Sequence, residues 1–86
     1  MKLWGKIWKE NHMVRDIVVS VEKDDTRTHK IFQGLDEICS AFDLGRPIWL
    51  EHGIRDFKRH NKVRFYKDSF IEEIDFDYLE FMILSE

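Results

Sequence analysis

The stretch from Thr26 to Leu50, TRTHKIFQGLDEICSAFDLGRPIWL, reads as one amphipathic helix, a glycine stop, a proline and a short apolar run carrying a tryptophan. Phe32, Leu35, Cys39 and Phe42 recur at spacings of three and four, with Ile31 and Ile38 on the same broad stripe. Lys30, Asp36, Glu37 and Ser40 fall outside it, the pattern of a helix with one face in a core. Asp25, Thr26 and Thr28 are each suited to cap its start, because a short oxygen-bearing side chain accepts a bond from an otherwise unpaired backbone N–H. Gly34 inside the stripe costs about 1 kcal/mol relative to alanine, which points to close backbone approach or to chance. Gly45 is expected as the left-handed residue that ends the helix, and Pro47 bars continuation. Ile48–Leu50 then reads as a short strand or an extended anchor.

Upstream, residues 2–10 alternate, with Leu3, Gly5 and Ile7 on one side and Trp4, Lys6 and Trp8 on the other. Residues 13–21 are β-branched and alternate too, placing Ile17, Val19 and Val21 opposite Val14, Asp16, Val18 and Ser20. The polar Glu10-Asn11-His12 between them suits a tight turn, so a β-hairpin over about 2–21 is expected. Residues 22–28 form a polar connection. Downstream, Leu50, Ile54 and Phe57 have helical spacing and predict a short second helix over 51–61, although Gly53 weakens it. Residues 62–66 alternate as a strand, 67–69 read as a turn, and Phe70-Ile71 as apolar anchors. Residues 77–84, DYLEFMIL, are apolar on both faces, as in a central strand covered on both sides or one at a subunit contact. The order predicts an α+β fold: a single small domain over 1–86, with an N-terminal β-hairpin, a central amphipathic helix, a second short helix and C-terminal strands in one antiparallel sheet.

Eighty-six residues allow one domain with a thin core, since folding at this size buries roughly 60–65% of the unfolded surface. Charged residues make up 36% of the chain, yet seven Phe and three Trp argue against disorder. The net charge of −3 is too small to imply a nucleic-acid or membrane partner. Cys39 is the one cysteine, which leaves no internal disulfide and makes a reducing cytoplasm the expected compartment. The opening MKLWGKIWKENH has lysines among its apolar residues, unlike a signal peptide, and no apolar run approaches the length of a membrane span.

Charge is segregated in the second half. Residues 46–67 carry a net +5, and residues 68–86 a net −7 with no Lys or Arg. Arg55, Lys58, Arg59, Lys62 and Arg64, interleaved with Phe57, Phe65 and Tyr66, form a candidate nucleic-acid surface, because phosphates need cations and unpaired bases stack on aromatics. The simpler account is that the acidic tail neutralises the basic segment or that both are solvated faces. His52, Asp56 and His60 would lie along one face of the second helix and are of types that suit zinc. The two histidines, however, stand roughly 12 Å apart at 1.5 Å per residue, too far for one ion, and a solvated His–Asp contact is the simpler reading. The carboxylates of IEEIDFDYLE lack the glycine an EF-hand loop needs and read as a solvated acidic turn before the last strand. Cys39 on the apolar stripe reads as a small core residue. With no glycine-rich phosphate loop, GxSxG or CxxC, no catalytic residue, cofactor or metal site is assigned.

Three tryptophans are hard to bury completely in so small a domain, so Trp4, Trp8 and Trp49 are candidates for a partner or subunit contact, with Arg55, Lys58 and Arg59 beside them. LGRPIWL, FKRH, RF and DSFIEEIDFDYLE, with the opening MKLWGKI and the segment DTRTHKIF, resemble a family of short bacterial proteins of similar length from anaerobic Gram-positive species. The likeness runs over essentially the whole chain. It implies a stand-alone cytoplasmic domain and brings no activity, cofactor or catalytic residue with it. The expectation is therefore a small non-catalytic protein-interaction domain, homodimeric through an apolar strand or tryptophan face. A nucleic-acid-associated regulator using 55–67 is the alternative, and a small metal-binding protein or enzyme the third.

Overall fold

The computed structural model describes residues 1–22 and 24–86, so Lys23 of the expected polar connection lies outside the described residues. Alternation in the first twenty residues produces β1 (Lys2–Lys9) and β2 (His12–Ser20), joined by a two-residue turn. Glu10 and Asn11 both take positive φ, 51° and 64°, the mirror-image turn whose twist matches that of the flanking strands. The pairing slips between Ile7 and Trp8, because Ile7 faces Arg15 while Trp8 faces Met13. Val14 is the extra residue of this bulge. It joins Ile7 and Phe42 in lining a cleft rather than continuing the alternation expected for it.

The amphipathic stretch forms α1 (Arg27–Ala41), whose first turn is capped by the Thr26 hydroxyl accepting from the His29 N–H at 3.2 Å. Its end differs from the expectation. Phe42 is the cap, Asp43 takes the left-handed conformation (φ 56°), and the Leu44 and Asp43 N–H groups close onto the Cys39 and Ser40 carbonyls. These are the paired bonds of a Schellman motif, completed at Leu44 ahead of Gly45, which has no positive φ. A second correction concerns Phe32: the buried side of α1 is Ile31, Gly34, Leu35, Ile38 and Cys39, and Phe32 is 43% exposed at its edge.

Ile48–Leu50 forms no strand. It is an extended anchor, tied by the Ile48 N–H to the Ser69 carbonyl at 2.7 Å. Helix α2 (Glu51–His60) follows and ends at Asn61, again left-handed. Strand β3 (Lys62–Phe65), a 3₁₀ turn (Lys67–Ser69) and β4 (Tyr78–Ser85) complete the chain. Phe70 is anchored as expected, but Ile71 is 93% exposed.

The sheet runs β2-β1-β4-β3 with every neighbour antiparallel, so β4 is central as expected, but the helices cover only one of its faces and the other carries Tyr78, Glu80 and Met82. One face is the core: Leu3 and Ile7 from β1, Leu79, Phe81 and Ile83 from β4, and Val63 and Phe65 from β3. Both helices lie on that face. Alpha1 lies over β1, where Leu3 meets Gly34 and Ile38 meets Gly5, and α2 lies over β3, where Gly53 meets Val63. The fold is α+β, with both helices on one side of the sheet. No helix among the described residues is long and apolar enough to cross a membrane.

Candidate functional site

Because strands alternate, the side chains pointing away from the core form a second face of the sheet, and neither helix covers it. The register sets them in three rows. The first is Val18, Trp4, Met82 and Lys62. The second is Asp16, Lys6, Glu80 and Arg64, in which negative and positive charges alternate strand by strand. The third begins with Met13, Trp8 and Tyr78 and is continued by Tyr66, whose ring centre lies 5.3 Å from that of Tyr78. Val18 is 48% exposed at one edge and Tyr66 43% at the other.

The charged row is internally bonded. Glu80, 4% exposed, accepts from Lys6 Nζ at 2.9 Å and from Arg64 Nε at 3.0 Å. Burial alone would raise its pKa, but the bonds from Lys6 and Arg64 outweigh this and hold the carboxyl below its usual range. The same bond to Glu80 raises the Arg64 pKa further. Lys6 also lies 4.0 Å over the Trp4 ring and Arg64 4.9 Å over the Tyr78 ring, so both cations rest on aromatic faces. Trp4 Nε1 donates to Asp16 Oδ2 at 2.9 Å. Cross-strand pairs of this kind stiffen a sheet surface. Glu80 thus does not belong to a solvated acidic turn. It lies on β4, and only Glu72, Glu73, Asp75 and Asp77 ahead of it are exposed.

The candidate contact residues fall on two opposite sides of the molecule. Trp4 and Trp8 lie on the open face of the sheet, where Trp8 stacks on Tyr78 at 6.3 Å. Trp49 lies on the helical side, edge-on to Phe57, Phe65 and Phe81 at 5.5, 5.0 and 6.4 Å. Its Nε1 is buried without a hydrogen-bond partner among the described residues, as is that of Trp8. The remaining edge of Trp49 joins Phe32 and Ile54 in a groove between the helices. Arg55, Lys58 and Arg59 are exposed on the outer side of α2.

The nucleic-acid constellation is divided by the fold, since Phe57 and Phe65 are core residues and leave Tyr66 as its exposed ring. The acidic tail meets the basic segment at Arg64–Glu80, while Arg46 pairs with Asp36 of α1. Among the described residues Arg55, Lys58, Arg59 and Lys62 form no ion pair. His52, Asp56 and His60 line a shallow cleft with Lys62, Arg64 and Tyr66, whose two cations would repel a metal ion. No group of three or more metal-ligating side chains forms among the described residues. Cys39 is buried beneath α1, and burial, with Asp36 and Glu72 nearby, pushes its thiol pKa up to about 12.

Trp4 and Trp8 are legible in the sequence as rings too large to bury fully in so small a domain. Asp16, Lys6, Glu80, Met82 and Tyr78 are not, since they join them only through long-range strand pairing. A scan of protein-family models, a search of curated proteins and a search of solved structures each returned no match to the chain.

Proposed function

We propose that this chain is a small non-catalytic interaction domain of the cytoplasm that docks a protein partner on the open face of its sheet. One observation carries the reading: the face left uncovered by both helices holds Trp4, Trp8, Tyr66, Tyr78, Val18 and Met82 around a self-compensated charged row. Tryptophan, tyrosine and methionine are enriched at protein interfaces, whereas unpaired acids and lysines are depleted at their centres. The buried, undisulfided Cys39 accords with a reducing compartment. A photo-crosslinking side chain at position 18, on the open face, should capture a protein in cells, and one at position 58, on the helical side, should not. Equal capture from both positions, or none from 18, would count against this reading.

A second reading rests on Arg55, Lys58 and Arg59, which are exposed on α2, form no ion pair among the described residues and suit an anionic partner such as nucleic acid. It is the weaker one, because the aromatic rings that would stack bases beside them are in the core. Binding of a labelled single strand at low salt, lost in an Arg55→Ala, Lys58→Ala, Arg59→Ala variant, would support it. No binding at low salt would remove it.

A further inference from the structure

We infer that the partner on the open face is a second copy of this chain, packed face to face about a two-fold axis that runs along the strands between β1 and β4. The inference rests on the interaction reading above and adds the identity of the partner. The charge row is self-complementary. Across the sheet it reads Asp16 negative, Lys6 positive, Glu80 negative and Arg64 positive. Rotation about an axis along the strands reverses the strand order, so β2 covers β3 of the other copy and β1 covers β4. Asp16 then meets Arg64 and Lys6 meets Glu80, so every charge faces its opposite. Rotation about the other in-plane axis, across the strands, keeps the strand order and sets Asp16 on Asp16 and Glu80 on Glu80. The row therefore selects one of the two aligned arrangements, which is how interfacial charge fixes register.

The flanking rows agree with that choice. Trp4 falls on Met82, Trp8 on Tyr78 and Met13 on Tyr66, contacts of ring with ring and of ring with thioether. Packed sheets cross at about 30°, and with strands about 4.8 Å apart the outer positions lie about 7 Å from the axis, so the crossing displaces Asp16 from Arg64 by about 4 Å. An arginine side chain spans that offset. The four-stranded face measures only about 20 by 20 Å, below the roughly 800 Å² per partner of a standard interface, so the dimer is reversible rather than obligate. A nucleic acid suits this face less well, because its phosphates would lie against Asp16.

Val18 supplies a test that leaves the fold undisturbed, since it is exposed on an edge strand and the two-fold places it over Lys62 of the other copy. Light scattering and sedimentation over a wide concentration range should show the wild type passing from monomer to dimer. Val18→Glu should tighten the dimer and Val18→Lys weaken it, with dissociation constants about tenfold or more apart. Asp16→Lys and Arg64→Glu should each be monomeric alone and form a heterodimer when mixed, because the mixture restores opposite charges at both ends of the row. If Arg64→Glu does not fold, the Val18 pair decides. A wild type that stays monomeric at millimolar concentration overturns the inference. So does a dimer indifferent to the sign of the charge at position 18. A monomer whose position-18 crosslinker still captures another protein in cells removes the second copy and leaves the interaction reading standing. A monomer that captures nothing removes both.

Discussion

Ile38 of α1 sits directly on Gly5 of β1, and a β-carbon built on Gly5 would collide with its Cγ2 methyl. The relation is reciprocal one turn earlier, where Leu3 of β1 sits on Gly34 of α1. Helix and central strand are thus keyed by two large residues set into two glycines, all four on the core side of the sheet. Removing either gap forces the helix away from the sheet that carries the open face.

Gly34→Ala gains about 1 kcal/mol of helix propensity, yet it should destabilise the protein, because overpacking a core costs typically 1–3 kcal/mol. Gly5→Ala should lose a similar amount with no propensity gain. In the double variant Gly5→Ala, Ile38→Ala the losses should be less than additive, since truncating Ile38 opens the space that the new methyl needs. Urea denaturation of the wild type, Gly34→Ala, Gly5→Ala, Ile38→Ala and the double variant measures this, and strict additivity of Gly5→Ala and Ile38→Ala would show that the two residues do not share the space.

These glycines mark where the sequence was legible and where it was not. Period-two alternation exposed the hairpin, 3.6-residue spacing exposed α1, and a strand apolar on both faces exposed central β4. Those patterns are local. Gly34 was recognisable as a cost but not as a socket for Leu3, because β1 reaches α1 only after the chain has folded back. The charged row draws on positions 16, 6, 80 and 64, and no window of sequence contains it. Phe32 reads as a core residue and Ile71 as an anchor, yet both are exposed, because hydrophobicity says only that burial is favourable, not that space exists for every apolar side chain.

Glu80 carries a pH signature. Its folded-state pKa lies below the ordinary glutamate value, so the unfolded chain takes up the proton more readily. Its contribution is therefore complete above the ordinary value of 4.5 and lost as pH falls through the lower folded-state value. Glu80→Gln should cost about 2 kcal/mol at neutral pH, from weakened bonds to Lys6 and Arg64. The gap between the two proteins should close as the solution is acidified below 4.5. Chemical denaturation at a series of pH values tests this, and a gap independent of pH would mean that the ion pairs do not stabilise the fold.

Cys39 should be chemically silent. A buried thiol with its pKa near 12 holds almost no thiolate at pH 8, and the thiolate is the reactive form. A disulfide reagent should label the native protein only as fast as α1 opens, and at full speed in denaturant. The raised value also means that stability contributed by the neutral thiol is present below the ordinary 9.0 and declines as pH rises toward the folded value. Cys39→Ala should flatten that alkaline decline. Rapid labelling of the native protein at pH 8 would place the thiol at the surface.

Trp49 fills the junction between the helices and the sheet by its ring rather than by its polar atom. Its N–H is buried without a partner among the described residues, while its edges meet three core phenylalanines. Trp49→Phe keeps an aromatic ring and removes the unpaired donor, so it should change stability by less than about 1 kcal/mol. Trp49→Ala empties the junction and should cost about 3–5 kcal/mol. In a Trp4→Phe, Trp8→Phe background, Trp49 emission should be blue-shifted and poorly quenched by acrylamide. Red-shifted, readily quenched emission would make it a surface residue.

The end of α1 offers the clearest separation between what glycine content suggests and what backbone geometry requires. Asp43, not Gly45, occupies the left-handed position, and a residue with a β-carbon pays for that conformation where glycine does not. Asp43→Gly should therefore stabilise the protein by about 0.5–1 kcal/mol, the relief at φ 56° exceeding the added freedom of the unfolded chain. Gly45→Ala should be close to neutral. Gly45 has no positive φ, and a β-carbon there meets only the Glu72 side chain, 3.1 Å from the Oε1 that accepts from the Gly45 N–H, which has to give by a few tenths of an ångström. Thermal and urea unfolding of the two variants should therefore move oppositely to a reading in which Gly45 terminates the helix. A large loss from Gly45→Ala with no gain from Asp43→Gly would put the left-handed residue back at position 45 and dissolve the Schellman bonds from Leu44 and Asp43 to Cys39 and Ser40.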